Sequence, residues 1–278
     1  GSVSFGMALQ RAERILNVAK QNNIPGALGV NLPSHLLNFV DLQRVTLPDV
    51  PENIKNEIIG NYAAAGMKIY PDQIEPHYPV LKREALGSVL KQALGFGPVQ
   101  VVKIDMRYIP QGELFAQVAQ ALASGQFTVD ALRGDASGKT FGFKMINEFS
   151  DHQMANAVLL GEAQAIHTVL SAQNTPAPFV IRGPPDNFYL VIPVMQDKVL
   201  TPQSLADLTD VMEQEINSTL PVPARVQITA NAVSSLDNGK DVSSLITKVN
   251  DISSVAISAP SLTTSRGNTV KVYAPTPD

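Results

Sequence analysis

Apolar residues recur with a helical period at the start of the chain. Leu9, Ala12, Ile15, Leu16 and Ala19 share one stripe, while Arg11, Glu13, Arg14 and Lys20 fall mostly elsewhere, so the spacing predicts an amphipathic helix. A Pro/Gly-rich break at 24–29 and a short helical stretch from Pro33 to Leu42 follow. Pro51 stands where a first helical turn tolerates it, ahead of Ile54, Ile58 and Ile59. Another helix is predicted over about 80–94, stopped by Gly95-Phe96-Gly97-Pro98.

From residue 98 the period changes. Val101, Lys103, Asp105 and Arg107 alternate with Val102, Ile104, Met106 and Tyr108, which predicts a half-buried strand over 99–109. Pro110 opens a helix carrying Leu114, Phe115, Val118 and Leu122, ended by Gly125, and strands are expected at 127–132 and 140–149. Ser150 with Gln153 three places on reads as the capped start of a long helix. Ala155, Val158, Leu159, Ile166 and Val169 trace its inner side, with Glu162 as a polar intruder. Strands at 179–182 and 188–195 bracket the turn Gly183–Asn187. Thr201 as cap and Pro202 at the first position then begin a helix, and a strand over 225–233 closes the zone.

The remainder, 234–278, is Ser-rich and weakly hydrophobic, with Asp241-Val-Ser-Ser-Leu245 loosely repeated as Asp251-Ile-Ser-Ser-Val255. It is expected to be a partly ordered tail or a docking segment that adds a strand to a partner's edge. The pattern thus predicts three zones, 1–97, 98–233 and 234–278. The fold class is α+β: an N-terminal helical region packed on a mixed or antiparallel sheet with helices mainly on one face, and an extended C-terminal tail.

Composition narrows the chemistry. The chain has no cysteine, which excludes thiol catalysis, thiolate zinc sites and iron–sulfur clusters. Its 21 basic residues are scattered and its formal charge is −4. A nucleic-acid surface needs clustered Lys and Arg, so no nucleic-acid partner is expected. The apolar runs are strand-sized, and no membrane span is expected. Gly1-Ser2 resembles a tag-cleavage scar with Met7 internal, so a targeting signal is not legible. The compartment stays open, with the cytoplasm the working expectation.

One stretch resembles a phosphate cradle: Gly134-Asp-Ala-Ser-Gly138-Lys139-Thr140. A P-loop needs four residues between its glycines and a helix after its Ser/Thr. Here three intervene, and Phe141-Gly-Phe-Lys-Met-Ile-Asn147 reads as a strand, so a hairpin turn is the expected structure. Arg133-Gly134-Asp135 also spells an adhesion tripeptide, a match short enough to arise by chance. His152 and His167 are fifteen apart on one helix, about 22 Å along the axis, too far for one metal. His35 and His77 stand alone in the sequence, and no metal or cofactor is expected. Asp105, Asp130 and Glu148 fall on expected strands, with Asp105 expected to pair with Lys103 or Arg107.

The turn 183–189 combines Pro184 and Pro185 with Phe188 and Tyr189, a stiff element that loses little entropy on binding; these four are the expected partner-contact residues. With no catalytic set legible, the expected function is a non-enzymatic structural or adaptor subunit of a larger assembly, of the secretion-machinery or phage/virus type, whose partners are other protein subunits. The alternative is an enzyme or sensor that binds a phosphorylated small molecule at the 133–140 turn, through Gly134, Gly138, Lys139 and Thr140.

Overall fold

The alternation over 99–109 folds as strand β1, Val99–Pro110, in the computed structural model, which describes residues 49–150, 152–172, 179–183, 187–194, 199–251 and 261–273. The helices expected within 9–42, and Pro184 and Pro185, lie outside the described residues. Ahead of β1 run α1 (Glu52–Ala64) and α2 (Leu86–Phe96). After it come α3 (Gly112–Ala123), α4 (Phe143–Phe149), α5 (His152–Ala172), β2 (Phe179–Arg182) and β3 (Asn187–Pro193). Then come α6 (Pro202–Thr219), β4 (Ala224–Ser234), a one-turn helix at Ser235–Asn238, α7 (Val242–Asp251), β5 (Ser261–Thr263) and β6 (Thr269–Tyr273). The strands form one mixed sheet in the order β2-β3-β1-β4-β6-β5, so the fold is α+β.

The chain divides into two compact units, neither continuous in sequence. One includes Tyr108–Glu162 and Ile216–Arg225; the other includes Val50–Arg107, Ala163–Glu215 and the described part of Val226–Asp278. The expected divisions at 97/98 and 233/234 do not coincide with them, because the unit boundaries fall inside β1, α5, α6 and β4.

The second unit is organised by the sheet. Leu86, Val89, Leu90, Ala93 and Leu94 line one side of α2 at helical spacing. They join Ile58 and Tyr62 of α1, Val99 and Val101 of β1, Ile181, Tyr189, Val191 and Val233 of neighbouring strands, and Leu245 and Val249 of α7 in one core cluster. Val89 and Leu90 are completely buried, and burial of such a side chain stabilises by about 1.5–3 kcal/mol. Gly97 and Pro98 end α2 and release the chain into β1. On the opposite face Val102, Ile104 and Met106 are buried. There the Gln100 side chain donates to Leu200 O at 3.1 Å and accepts from Leu200 N at 2.8 Å, fixing the approach to α6. Thr201 caps that helix as expected, its Oγ1 accepting from Ser204 N at 3.2 Å.

Residues of the Ser-rich C-terminal zone add their strands to this chain's own sheet. β6 pairs parallel with β4 (Thr229↔Thr269, Asn231↔Lys271, Val233↔Tyr273), and β5 pairs antiparallel with β6.

In the first unit the two expected strands give way to helix. Residues 130–132 form a 3-10 turn and 143–149 form α4, leaving a single bridge between Tyr108 and Phe141. Phe143, Ile146 and Phe149 stand at i, i+3 and i+6, so the short apolar run satisfies both periods, and burial of Phe143, Met145 and Ile146 decides for helix. Ser150 closes α4, donating its Oγ to Ile146 O at 2.5 Å.

Candidate functional site

One face of the sheet changes character along its strands. Val101 faces Val191 across β1 and β3, and two residues further along β1 Lys103 faces Tyr189, then Asp105 faces Asn187. Because side chains two apart share a face, Lys103 and Asp105 continue the face on which α2 and α7 bury Val99 and Val101. The same holds on the far side of β4. Val233 belongs to that core and Tyr273 packs against it, so Asn231 and Lys271, their neighbours two residues back, lie on the same face.

The level of β1 against β4 follows from its two ends. Val99 N donates to Ser235 Oγ at 2.8 Å, and Gln111 N donates to Pro223 O at 2.8 Å. The strands are therefore antiparallel, and counting inward from either end sets Lys103 beside Asn231 and Asp105 beside Thr229. Two polar rows cross the sheet. One reads Tyr189, Lys103, Asn231, Lys271, Ser261, and the other Asn187, Asp105, Thr229, Thr269, Thr263.

These rows are rich in hydrogen-bonding groups and carry an excess of positive charge. Lys103 and Lys271 are half-buried, and neither has an ion-pair partner among the described residues. Arg107 lies next along β1, its Nη2 3.9 Å from Asp105 Oδ2, with side-chain exposures of 38% and 22%. A loose pair this exposed stabilises by at most about 1 kcal/mol. Burial raises the Tyr189 phenol above its ordinary pKa; the hydrogen bond it donates to Asn250 Oδ1 at 2.8 Å and the nearby Arg83 oppose this, while Asp105 adds to it. Tyr189 therefore remains a neutral hydrogen-bonding group at the border between the apolar and polar halves. The arrangement has the chemistry of an anion site: cations on rigid strands, with amides and hydroxyls between them.

The expected phosphate turn is built differently. Among Gly134, Gly138, Lys139 and Thr140, the amides of the last two donate to Asp135 Oδ1 at 3.0 and 3.2 Å, and Ser137 Oγ donates to Oδ2 at 2.8 Å. The turn is no hairpin. It connects a 3-10 turn to α4, with Gly138 at φ +65° and Gly134 packed so closely that a Cβ there would lie 2.5 Å from Val129 Cγ1. The chain's own carboxylate occupies the place an incoming phosphate would take. Burial tends to raise the pKa of Asp135, but the hydrogen bonds from Ser137, Thr140 and Lys139 together outweigh it and hold the carboxyl below its usual range. A depressed carboxylate stabilises the fold above its unfolded pKa and ceases to do so as pH falls through its folded value. Asp135→Asn is accordingly expected to cost about 1 kcal/mol or less at pH 7, given its exposure. The difference from wild type in urea unfolding should begin to shrink as pH falls below about 4 and vanish only below the lowered folded-state pKa of Asp135.

Of the expected partner-contact residues, Phe188 and Tyr189 are 2% and 5% exposed. Both begin β3 with their rings inside the protein, which corrects their assignment to a contact surface. Asp130 and Glu148, expected on strands, lie on the 3-10 turn and α4, where Glu148 pairs with Lys144 at 2.8 Å, while Asp105 belongs to the other unit. No group of three or more metal-binding side chains occurs among the described residues, and none of their helices is long and apolar enough to cross a membrane.

No family model matches the chain, and no curated protein does. Solved structures of GGDEF domains resemble it. That of YfiN (TpbB) from Pseudomonas aeruginosa is 13% identical, with 71% of this chain and 98% of that chain covered, at a TM-score of 0.43. The active GGEEF domain of a diguanylate cyclase from Vibrio cholerae is 15% identical, covering 70% and 98%, at 0.43. The GGDEF domain of DgcB from Caulobacter crescentus, solved in complex with c-di-GMP, is 14% identical, covering 74% and 96%, at 0.44. These are likenesses of fold. Domains of diguanylate cyclases are among these similar structures, and the expectation of a non-enzymatic structural or adaptor subunit is corrected accordingly.

Proposed function

We propose that the chain binds a phosphorylated small molecule on the polar half of its sheet face, as an enzyme or sensor domain. The observation that supports this is the pair of half-buried lysines, Lys103 and Lys271, level with each other across Asn231 and joined by Arg107 on the same face. Cations placed on sheet strands are costly to leave without an anion and well positioned to receive one.

The particular reaction named for the similar structures is not carried over. The string Gly-Gly-Asp-Glu-Phe does not occur in this sequence.

Thermal unfolding against a panel of orthophosphate, pyrophosphate and nucleoside mono-, di- and triphosphates tests the proposal. A ligand at a hundredfold its dissociation constant stabilises the native state by about 2.7 kcal/mol, which raises the midpoint clearly. The rise is expected to disappear in Lys103→Ala and to persist in Lys139→Ala. The opposite result would move the site to the 133–140 turn, and no rise with any member of the panel would remove the proposal.

A further inference from the structure

Asn238 and Gly239 form the only Asn-Gly pair in the sequence, and they close the one-turn helix between β4 and α7. With no side chain, glycine leaves its amide nitrogen open to close approach. Both halves of the Asn238 amide are held. Its Oδ1 accepts from Lys248 Nζ at 2.9 Å, and its Nδ2 donates to Ser234 O at 2.9 Å. An ammonium only donates and a backbone carbonyl only accepts, so these partners determine which way the amide points. Lys248 is itself held in place, its Nζ 5.6 Å from the centre of the Tyr273 ring. The next backbone amide is in the opposite condition. Ala65, Gly97 and Ser124 end α1, α2 and α3 by donating back into the helix, whereas Gly239 N–H donates to no group among the described residues. Gly239 is exposed at φ +75°, and apart from its chain neighbours nothing lies within 4 Å of the place a Cβ would take.

We infer that Asn238 is a site of spontaneous deamidation by water in the folded chain, and that Lys248 promotes the reaction. Gly239 N gives its proton to hydroxide and attacks Asn238 Cγ. The new C–N bond places negative charge on Oδ1, where Lys248 Nζ already donates. A donor fixed in position before the charge develops stabilises it most effectively. The Cγ–Nδ2 bond then breaks, and ammonia leaves with one proton returned from water, closing a cyclic imide between residues 238 and 239. A water molecule adds to one of the two imide carbonyls and opens the ring. Cleavage of the new bond at Cγ gives an aspartyl residue, and cleavage of the original peptide bond gives an isoaspartyl one. Either product sets a carboxylate beside Lys248, a charge-assisted pair in place of a neutral hydrogen bond, and removes the donor to Ser234 O.

Incubation of the folded, full-length chain at mildly alkaline pH, followed by peptide mass mapping, tests this. Asn238 is expected to gain the mass difference between an amide and a carboxylate ahead of every other asparagine in the chain. Lys248→Met keeps the aliphatic stem and removes the charge. It should slow the conversion by about tenfold, less than the loss of one oxyanion donor costs an enzyme. Lys248→Arg keeps the charge and should retain most of the wild-type rate. The direction of the Lys248→Met effect separates this role from a merely structural one, because a loosened turn would let Asn238 reach the attacking geometry more often and react faster. An Asn238 that stays intact, or a Lys248→Met rate equal to or above that of wild type, overturns the inference.

Discussion

Phe188→Ala is expected to lower the unfolding free energy by about 3–5 kcal/mol, the range for removing a buried aromatic ring. Phe188 is 2% exposed and stands at the start of β3, paired with Ile104 on one side and Arg182 on the other. Its ring belongs to the face of the sheet where Ile104 and Met106 are also buried, so truncation leaves a cavity in a region that relaxes little. Tyr189→Phe provides the contrast. It keeps the ring and removes one hydroxyl, which donates to Asn250, and should cost only about 0.5–1.5 kcal/mol. Urea unfolding followed by circular dichroism measures both. An unchanged midpoint in Phe188→Ala would show that the ring is not a core residue and would return it to a contact surface.

That contrast also shows what a sequence does and does not reveal. β1, β3, β4, α2 and α6 were legible because each is long enough for its period to be unambiguous, and because Gly97-Pro98 and Thr201-Pro202 punctuate them. Segment 140–149 fits both periods, because Phe141, Phe143 and Met145 alternate while Phe143, Ile146 and Phe149 repeat helically, and only burial separates the two. Phe188 and Tyr189 depart from expectation for a different reason. Proximity to a proline turn suggested exposure, but the register with β1 and β2 takes both rings into the protein. The polar sheet face was half visible. The alternation marked Lys103, Asp105 and Arg107 as the less buried side of β1, whereas Lys271 joins them only through strand order, which local pattern does not encode. The phosphate-like turn had the opposite fate: its glycines and lysine are where the motif suggested a cradle, and Asp135, a residue the motif ignores, fills it.

The largest electrostatic effect is expected at Asn268, which is completely buried in the turn between β5 and β6. Its Oδ1 accepts from Ile228 N at 2.8 Å and its Nδ2 donates to Asp210 Oδ1 at 2.7 Å. A backbone amide only donates and an ionised carboxylate only accepts, so the two partners determine which way the Asn268 amide points. Asp210 also accepts from Thr264 Oγ1 at 2.7 Å, and Arg266 pairs with the buried Glu213 one turn further along α6. The turn is thus tied to the helix by groups that tolerate no exchange of donor for acceptor. Asn268→Asp keeps the shape and the contact to Ile228 but sets a carboxylate against Asp210. Breaking a buried polar network in this way should cost about 3–5 kcal/mol at pH 7. The new carboxylate pair must hold a proton to remain buried, so its folded-state pKa is raised above the unfolded value. The native state then binds more protons than the unfolded chain, and stability falls as pH rises. The deficit of Asn268→Asp should accordingly shrink as pH is lowered from 8 toward the ordinary carboxylate range near 4. Asn268→Ala, which strands the Ile228 amide without adding charge, should cost about 1–3 kcal/mol with no such pH trend. Urea unfolding of both variants across this range decides the matter: parallel, pH-independent deficits would mean that position 268 does not face Asp210.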